Sequence, residues 1–280
     1  MGPFDVRPFR PLTQNHMADC LALSAEAGWN QTREDWALFL DHGSVLGFLD
    51  DRGHAVATGA VLPYPNGFAW ISMVLVTASR RRERVGTRIL EACCAEIVKQ
   101  GLLPVLDATP AGEQVYRPLG FEPMFTISRW QGSGSGGDVP TGLRAMTTSD
   151  IPAVVAIDAS AFGAARRFLM ASLFDRAPRL AFVTEDLTGF VVARPGRVAT
   201  QIGPIVATDE ATAFALLRAA LGAAHGPVFL DLGDRWDDMK RALRERDFTV
   251  QRPFTRMALN RRAPLGEPAH LFVVAGPEFG

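Results

Sequence analysis

The stretch Thr77-Ala78-Ser79-Arg80-Arg81-Arg82-Glu83-Arg84-Val85-Gly86-Thr87 sets four arginines, a glycine and a hydroxyl where an apolar run ending at Val76 gives way to a helical repeat. The first amides of a helix have no intrahelical partner and point outward, and the helix dipole adds partial positive charge, so such a turn attracts an anion. The arginines reinforce that field, Gly86 lets backbone approach a ligand closely, and Thr87 offers a hydroxyl. A merely solvated basic helix start would carry the same residues. The elements around the turn have to decide between the two readings.

The run into the turn, Gly67-Phe68-Ala69-Trp70-Ile71-Ser72-Met73-Val74-Leu75-Val76, is apolar almost throughout, the pattern of a central strand. After the turn Val85, Ile89, Cys93 and Ile97 recur every fourth residue, Leu90 and Val98 widen the stripe, and Gly101 suits a helix terminator. Pro104 to Ala108 reads as a second short strand, Gln114 to Leu119 as a short helix stopped by Gly120, and Phe121 to Trp130 as a last strand. Alternating strands and helices define an α/β fold with a mixed sheet, and a ligand is expected at the ends of its first two strands.

A length of 280 residues lies at the upper edge of what one core organises, so two domains are expected. With 48% hydrophobic and 21% charged residues the chain can bury a sizeable core. Lysine and arginine number 29 against 30 acids, so no global field recruits nucleic acid or an anionic membrane. Basic and aromatic residues do not interleave as a nucleic-acid surface requires. No apolar run is long enough to span a bilayer and the start has no apolar signal core, which points to the cytoplasm. Cys20, Cys93 and Cys94 have no ligand spacing, nor do the five histidines, so neither a disulfide framework nor a metal site is expected.

Gly132-Ser133-Gly134-Ser135-Gly136-Gly137-Asp138 has no side chain able to anchor a core and reads as a flexible linker, giving domains over 1–131 and 141–280 joined by 132–140. The flanking halves repeat one another in order. Arg7 answers Arg144, Val105-Leu106-Asp107 answers Phe229-Leu230-Asp231, and Phe121 with Arg129 answers Phe248 with Arg256.

On Val74-Leu75-Val76, Arg81-Arg82-Glu83-Arg84-Val85-Gly86 and Tyr116-Arg117-Pro118-Leu119-Gly120-Phe121, the chain resembles the GNAT family of acyl-CoA-dependent N-acetyltransferases. The loop stands against the family's Arg/Gln-x-x-Gly-x-Gly/Ala, with Arg84 in place of its first glycine, and the second motif against Tyr-x-x-x-Gly-Phe. The resemblance implies two tandem GNAT-like (acyl-CoA N-acyltransferase) domains and acetyl-CoA as co-substrate. Residues Arg81 to Thr87 (Arg81, Arg82, Glu83, Arg84, Val85, Gly86, Thr87) would hold its pyrophosphate, and the backbone of Val74, Leu75 and Val76 would pair with the pantetheine arm as an added strand. An amide at or near Val76 would polarise the thioester carbonyl. Tyr116 would protonate the departing thiolate, unless it only bridges core and solvent.

The attacking amine must be neutral, and Asp107 stands where a base would serve, although an Asp before Ala108-Thr109-Pro110 equally caps the following turn. Glu26 and Asp35 are weaker candidates. In the resembling folds the region around Ala27-Gly28-Trp29-Asn30-Gln31-Thr32 lies over the acceptor, making Trp29 and Asn30 candidate contacts. Thr32 is equally a helix N-cap, with Trp36 packing that helix. In the second half Thr208 to Leu217 spans nine positions where Thr77 to Leu90 spans thirteen. The arginines, the loop glycine and the tyrosine are missing there, so that half keeps the fold without the cofactor. Phe162-Gly163-Ala164-Ala165-Arg166, Pro253-Phe254-Thr255-Arg256-Met257 and Ala275-Gly276-Pro277-Glu278 extend the resemblance to a tandem-GNAT arrangement. It would close the acceptor pocket with Phe162, Arg166 and Arg256, unless the two arginines are structural charges. The expected function is acetyl transfer to a small-molecule or protein amine by direct attack. A non-catalytic acyl-CoA or amine sensor is the alternative.

Overall fold

The computed structural model describes residues 9–280, so Arg7 lies outside it. No helix among the described residues is long and apolar enough to cross a membrane. Two compact units emerge. One joins the residues up to Pro63 to Gly67–Pro104, and the other joins Tyr64–Asn66 to Val105–Gly280.

The first unit holds β1 (Arg10–Pro11), α1 (Met17–Glu26), α2 (Arg33–His42), β2 (Ser44–Leu49), β3 (Ala55–Tyr64, whose last residue belongs to the second unit), β4 (Phe68–Val76) and α3 (Val85–Lys99). The strands lie side by side in chain order. Thr32 caps α2 in a reciprocal box with Asp35, whose carboxylate accepts from the Thr32 amide at 2.9 Å. Trp36 is buried and donates its indole N–H to Ser24 Oγ at 3.0 Å, so it serves the core. The fourfold stripe of α3 is buried at Val85, Ile89, Leu90, Cys93 and Ile97, and each large apolar side chain so buried contributes ~1.5–3 kcal/mol.

The second unit continues with β5 (Leu103–Ala108, begun in the first unit), α4 (Pro110–Tyr116), β6 (Phe121–Ser133), β7 (Leu143–Ala145), α5 (Ile151–Phe162), α6 (Arg167–Arg176), β8 (Phe182–Thr184), β9 (Phe190–Arg194), β10 (Thr200–Val206), α7 (Glu210–Ala223), β11 (Pro227–Gly233), α8 (Asp237–Arg244), β12 (Thr249–Leu259) and β13 (Leu271–Val274). Its strand order is β5-β12-β6-β11-β13-β10-β9-β8-β7. Trp130, Ile202, Leu216, Leu217 and Leu230 sit at the centre of its core.

The order shows that the repeats exchange their last strands. β6, from the first repeat, pairs with β11, while β12, from the second, pairs with β5. The shift that carries Phe121 onto Phe248 and Arg129 onto Arg256 also carries Ile127 onto Phe254, the residue it faces where β6 meets β12. A local twofold therefore passes through that pair. Across it Arg129 forks onto Asp231 with both bonds 2.8 Å, and Arg256 onto Asp107 with both bonds 2.9 Å. The motif arginine of each repeat neutralises the motif aspartate of the other.

Two expectations change. β6 runs on to Ser133, past the expected linker start at 132: Gly132 faces Val228, and a Cβ on it would lie 2.6 Å from the Phe248 ring. Gly134 donates to Gly226 O at 2.9 Å, and its own Cβ would meet Ala224 O at 2.1 Å. These two glycines serve close approach rather than flexibility. The helix expected over Gln114 to Leu119 instead starts at Pro110, because Thr109 caps it, its Oγ1 accepting from Gly112 N at 3.2 Å with Pro110 in the first turn. Residues 117–119 form a single tighter turn that ends at Gly120, φ 93°.

Candidate active site

The turn between β4 and α3 is open to solvent: Arg81, Arg82, Glu83 and Arg84 are exposed. Arg82 and Arg84 both take left-handed backbone conformations, φ 65° and 60°, with Arg84 at the N-cap of α3. A left-handed residue leading into right-handed helix turns successive amides toward one concavity, the geometry of an anion nest. Arg84 thus keeps the backbone shape for which the family motif uses glycine, at a cost of about 1–2 kcal/mol for a non-glycine residue. Gly86 has no such constraint. A Cβ on it would meet only Val76 Cγ2, at an ordinary 3.5 Å. Among the described residues no close contact stands in the way of a side chain at that position.

The turn is braced from α1. The Glu26 carboxylate accepts from Thr77 Oγ1 at 2.8 Å and from the Ala78 amide at 2.6 Å. The amide, then the hydroxyl, hold its pKa below the ordinary glutamate value. Glu26 is thereby an anchor for the exit of β4. Arg80 lies over the Phe48 ring and pairs with Glu83 at 2.9 Å, while Arg81 Nε donates to Val76 O at 3.3 Å. Within β4, Met73 is left-handed, φ 51°, and its carbonyl accepts from the buried Thr58 hydroxyl at 2.8 Å. Strain of this kind inside a strand marks functional sites, and neither residue carries a signal in the sequence. In the loop between α1 and α2, Asn30 and Gln31 are buried and Trp29 is half-buried.

The turn belongs wholly to the first unit, and Tyr116 to the second. Tyr116 ends α4 half-buried, its ring 6.1 Å from that of Phe121. One turn earlier Gly112 provides a notch: a Cβ there would stand 2.9 Å from Tyr116 Cε2 and 3.2 Å from its hydroxyl oxygen. Glu113 fastens the helix to β12 by accepting from Thr255 Oγ1 at 2.7 Å. A glycine four residues before the tyrosine is the sequence signal that would have revealed the notch.

Two of the expected site residues lie in buried ion pairs. Asp107, the expected base, is fully buried with both oxygens accepting from Arg256; burial raises its pKa against the pull of that guanidinium. The pair ties β5 to β12 and leaves neither carboxylate oxygen exposed. Arg166, an expected acceptor contact, is also fully buried, forked onto Asp158 at 2.7 and 2.9 Å and donating to Phe279 O at 2.9 Å. It is a core ion pair. Phe162 and Arg256 do come together, lining one small cleft with Met124, Phe125 and Leu265.

Comparison with known proteins gives the family and the fold. A family model described as "Acetyltransferase (GNAT) family" matches residues 12–121, and one described as "Acetyltransferase (GNAT) domain" matches residues 154–273. The chain belongs to the GNAT acetyltransferases and carries two of their domains in tandem. It is similar in fold to a putative acetyltransferase from Pyrococcus horikoshii, with 20% identity, coverage of 99% of this chain and 98% of that one, and a TM-score of 0.80. A GCN5-related N-acetyltransferase from Sphaerobacter thermophilus follows at 16% identity, covering 95% and 99%, with a TM-score of 0.67. A tandem GNAT protein from the clavulanic acid biosynthesis pathway is similar at 15% identity, covering 90% and 97%, with a TM-score of 0.63. A search of curated proteins gave no match.

Proposed function

We propose that the chain is an N-acetyltransferase that moves an acetyl group from acetyl-CoA to an amine by direct attack within a ternary complex. The observation that carries this reading is the open, left-handed turn at Arg82 to Gly86 at the N-terminus of α3, where a Cβ on the glycine would meet Val76 Cγ2 at only an ordinary 3.5 Å. The first amides of α3 would hold the diphosphate, and the edge of Val74 to Val76 the pantetheine arm. Tyr116 would protonate the leaving thiolate. Trp29 and Asn30 in the α1–α2 loop, and the cleft of Phe162 and Arg256, are the proposed acceptor contacts. The catalytic domain would span 1–131 and the cofactor-free domain 141–280. Since Asp107 is committed to Arg256, the amine proton would leave through water.

Gly86→Ala tests the reading through opposite signs. Alanine favours the helix, so stability should hold or rise by about 0.5–1 kcal/mol, while the added methyl should weaken acetyl-CoA binding at least about tenfold, ~1.4 kcal/mol. Calorimetry and thermal melting check the two halves, and unchanged affinity would remove the loop from the carrier site.

Turnover can be followed as free thiol released from acetyl-CoA over an amine panel. Burial pushes the Cys20 thiol up to about 12 and that of Cys94 up to about 11, and it raises Cys93 as well. The native protein should therefore contribute almost no thiol to a disulfide reagent at pH 8. Rapid labelling of a cysteine in the folded chain would contradict this. Carrier binding with no release on any amine would favour the sensor.

A further inference from the structure

β10 parts from its parallel neighbour β11 after Ile202. Thr200, Gln201 and Ile202 face Val228, Phe229 and Leu230, and beyond them β13 enters the gap antiparallel to both strands. Val273 faces Ile205 on one side and Leu232 on the other, Leu271 faces Val206, and Val274 faces Asp231. The pairing extends through Ala207 N, which donates to His270 O at 3.1 Å. The alignment that sets Thr208 against Thr77 sets Ile205, Val206 and Ala207 against Val74, Leu75 and Val76. Those three are the residues proposed to hold the carrier arm in the first repeat. In the second repeat the β11-facing edge of this stretch is taken by the chain's own later segment, while its other edge pairs with β9.

The segment beyond β13 is gripped by side chains. Arg194 is buried, donates to Ala275 O at 2.6 Å, pairs with Glu278 and lies over the Phe279 ring. Phe279 O accepts from Tyr64 Oη and Arg166 Nη1, both at 2.9 Å. Gly276, φ 128°, makes the turn between these contacts, and a Cβ there would lie 2.8 Å from Glu278 Oε2. Backbone pairing supplies affinity for any extended strand, and the arginines select a carboxylate followed by an aromatic ring. A pantetheine arm entering here would have to break the β13 ladder and strip Arg194 and Arg166 of buried partners, which is costly.

We infer that the cleft of the second repeat is a peptide-binding groove, selective for an extended strand followed by a Gly-Pro-Glu-Phe turn and filled in cis by residues 271–280. The comparison of the two clefts rests on the carrier reading above, whereas the groove itself stands on the contacts of the second unit. The chain accordingly has one carrier site.

The test uses the full chain carrying Val273→Pro, a residue central strands exclude, and separately the milder Glu278→Gln. Amide hydrogen exchange is measured on each, then again with a synthetic peptide of residues 269–280 in excess. The β10 amides that point to β13, that of Ala207 among them, should exchange at least about tenfold faster in the loosened chain. The peptide should restore their protection, and a Glu278→Gln peptide should restore less. Unchanged exchange in both variants, no effect of the peptide, or two acetyl-CoA molecules on the parent chain by native mass spectrometry overturns the inference. A parent chain that binds no acetyl-CoA counts against the acetyltransferase reading, and the exchange data still decide the groove.

Discussion

Tyr116→Phe should lower turnover by about 10²-fold or more, with acetyl-CoA affinity kept within about threefold, because general-acid assistance acts only where charge builds on the leaving sulfur. A phenylalanine ring would keep the packing against Phe121 and beside the Gly112 notch. Gly112→Ala provides the complementary result. In an ordinary helix this change stabilises by about 0.5–1 kcal/mol, but here the new methyl would stand 2.9 Å from the ring and push it aside. Turnover should fall while the fold is kept. Steady-state kinetics with calorimetry separates the outcomes: equal losses of binding and turnover in Tyr116→Phe would remove the acid role. Full activity in Gly112→Ala would show that the ring position is not critical.

What the sequence made legible followed periodicity. The β4 run, the α3 stripe and its stop near Gly101 are local patterns set by burial on one face or both, and the structure has them at 68–76 and 85–99. The start of α4 was hidden because Thr109-Pro110 serves a turn and a helix N-terminus equally well. The strand exchange was hidden for another reason. The matched positions of Asp107, Asp231, Arg129 and Arg256 reveal a repeat, but whether each arginine meets its own aspartate or the other's is a long-range choice of strand order. Arg166 misled because a guanidinium suited to a carboxylate does not disclose that Asp158, across a helix end, already supplies one. Met73 had no signal at all: a left-handed residue inside a strand is forced by its surroundings, here with Thr58 on its carbonyl, and not by its own preference.

The exchanged pairs make the second strong prediction. Arg256→Met leaves Asp107 as a buried carboxylate with no counter-charge, a change that costs about 3–5 kcal/mol; at about 2–4 °C per kcal/mol for a protein of this size, the melting point should drop by about 6–20 °C. Arg129→Met should do the same to Asp231, because the local twofold gives both pairs one geometry. Replacing both members, Asp107→Leu with Arg256→Met, removes charge and counter-charge together and should recover most of the loss, since apolar groups of similar size often replace a buried pair at little cost. That double variant also decides the fate of Asp107 in the reaction. If the carboxylate only holds β5 against β12, the repaired protein should retain turnover within about tenfold, as expected for a residue that acts through position. A stable double variant whose kcat is abolished while the Arg256→Met single variant keeps its own would return Asp107 to the role of base. A rise in the acceptor KM common to both would trace the loss to Arg256 as an acceptor contact, and an Arg256→Met protein that melts like the parent would show the pair to be dispensable.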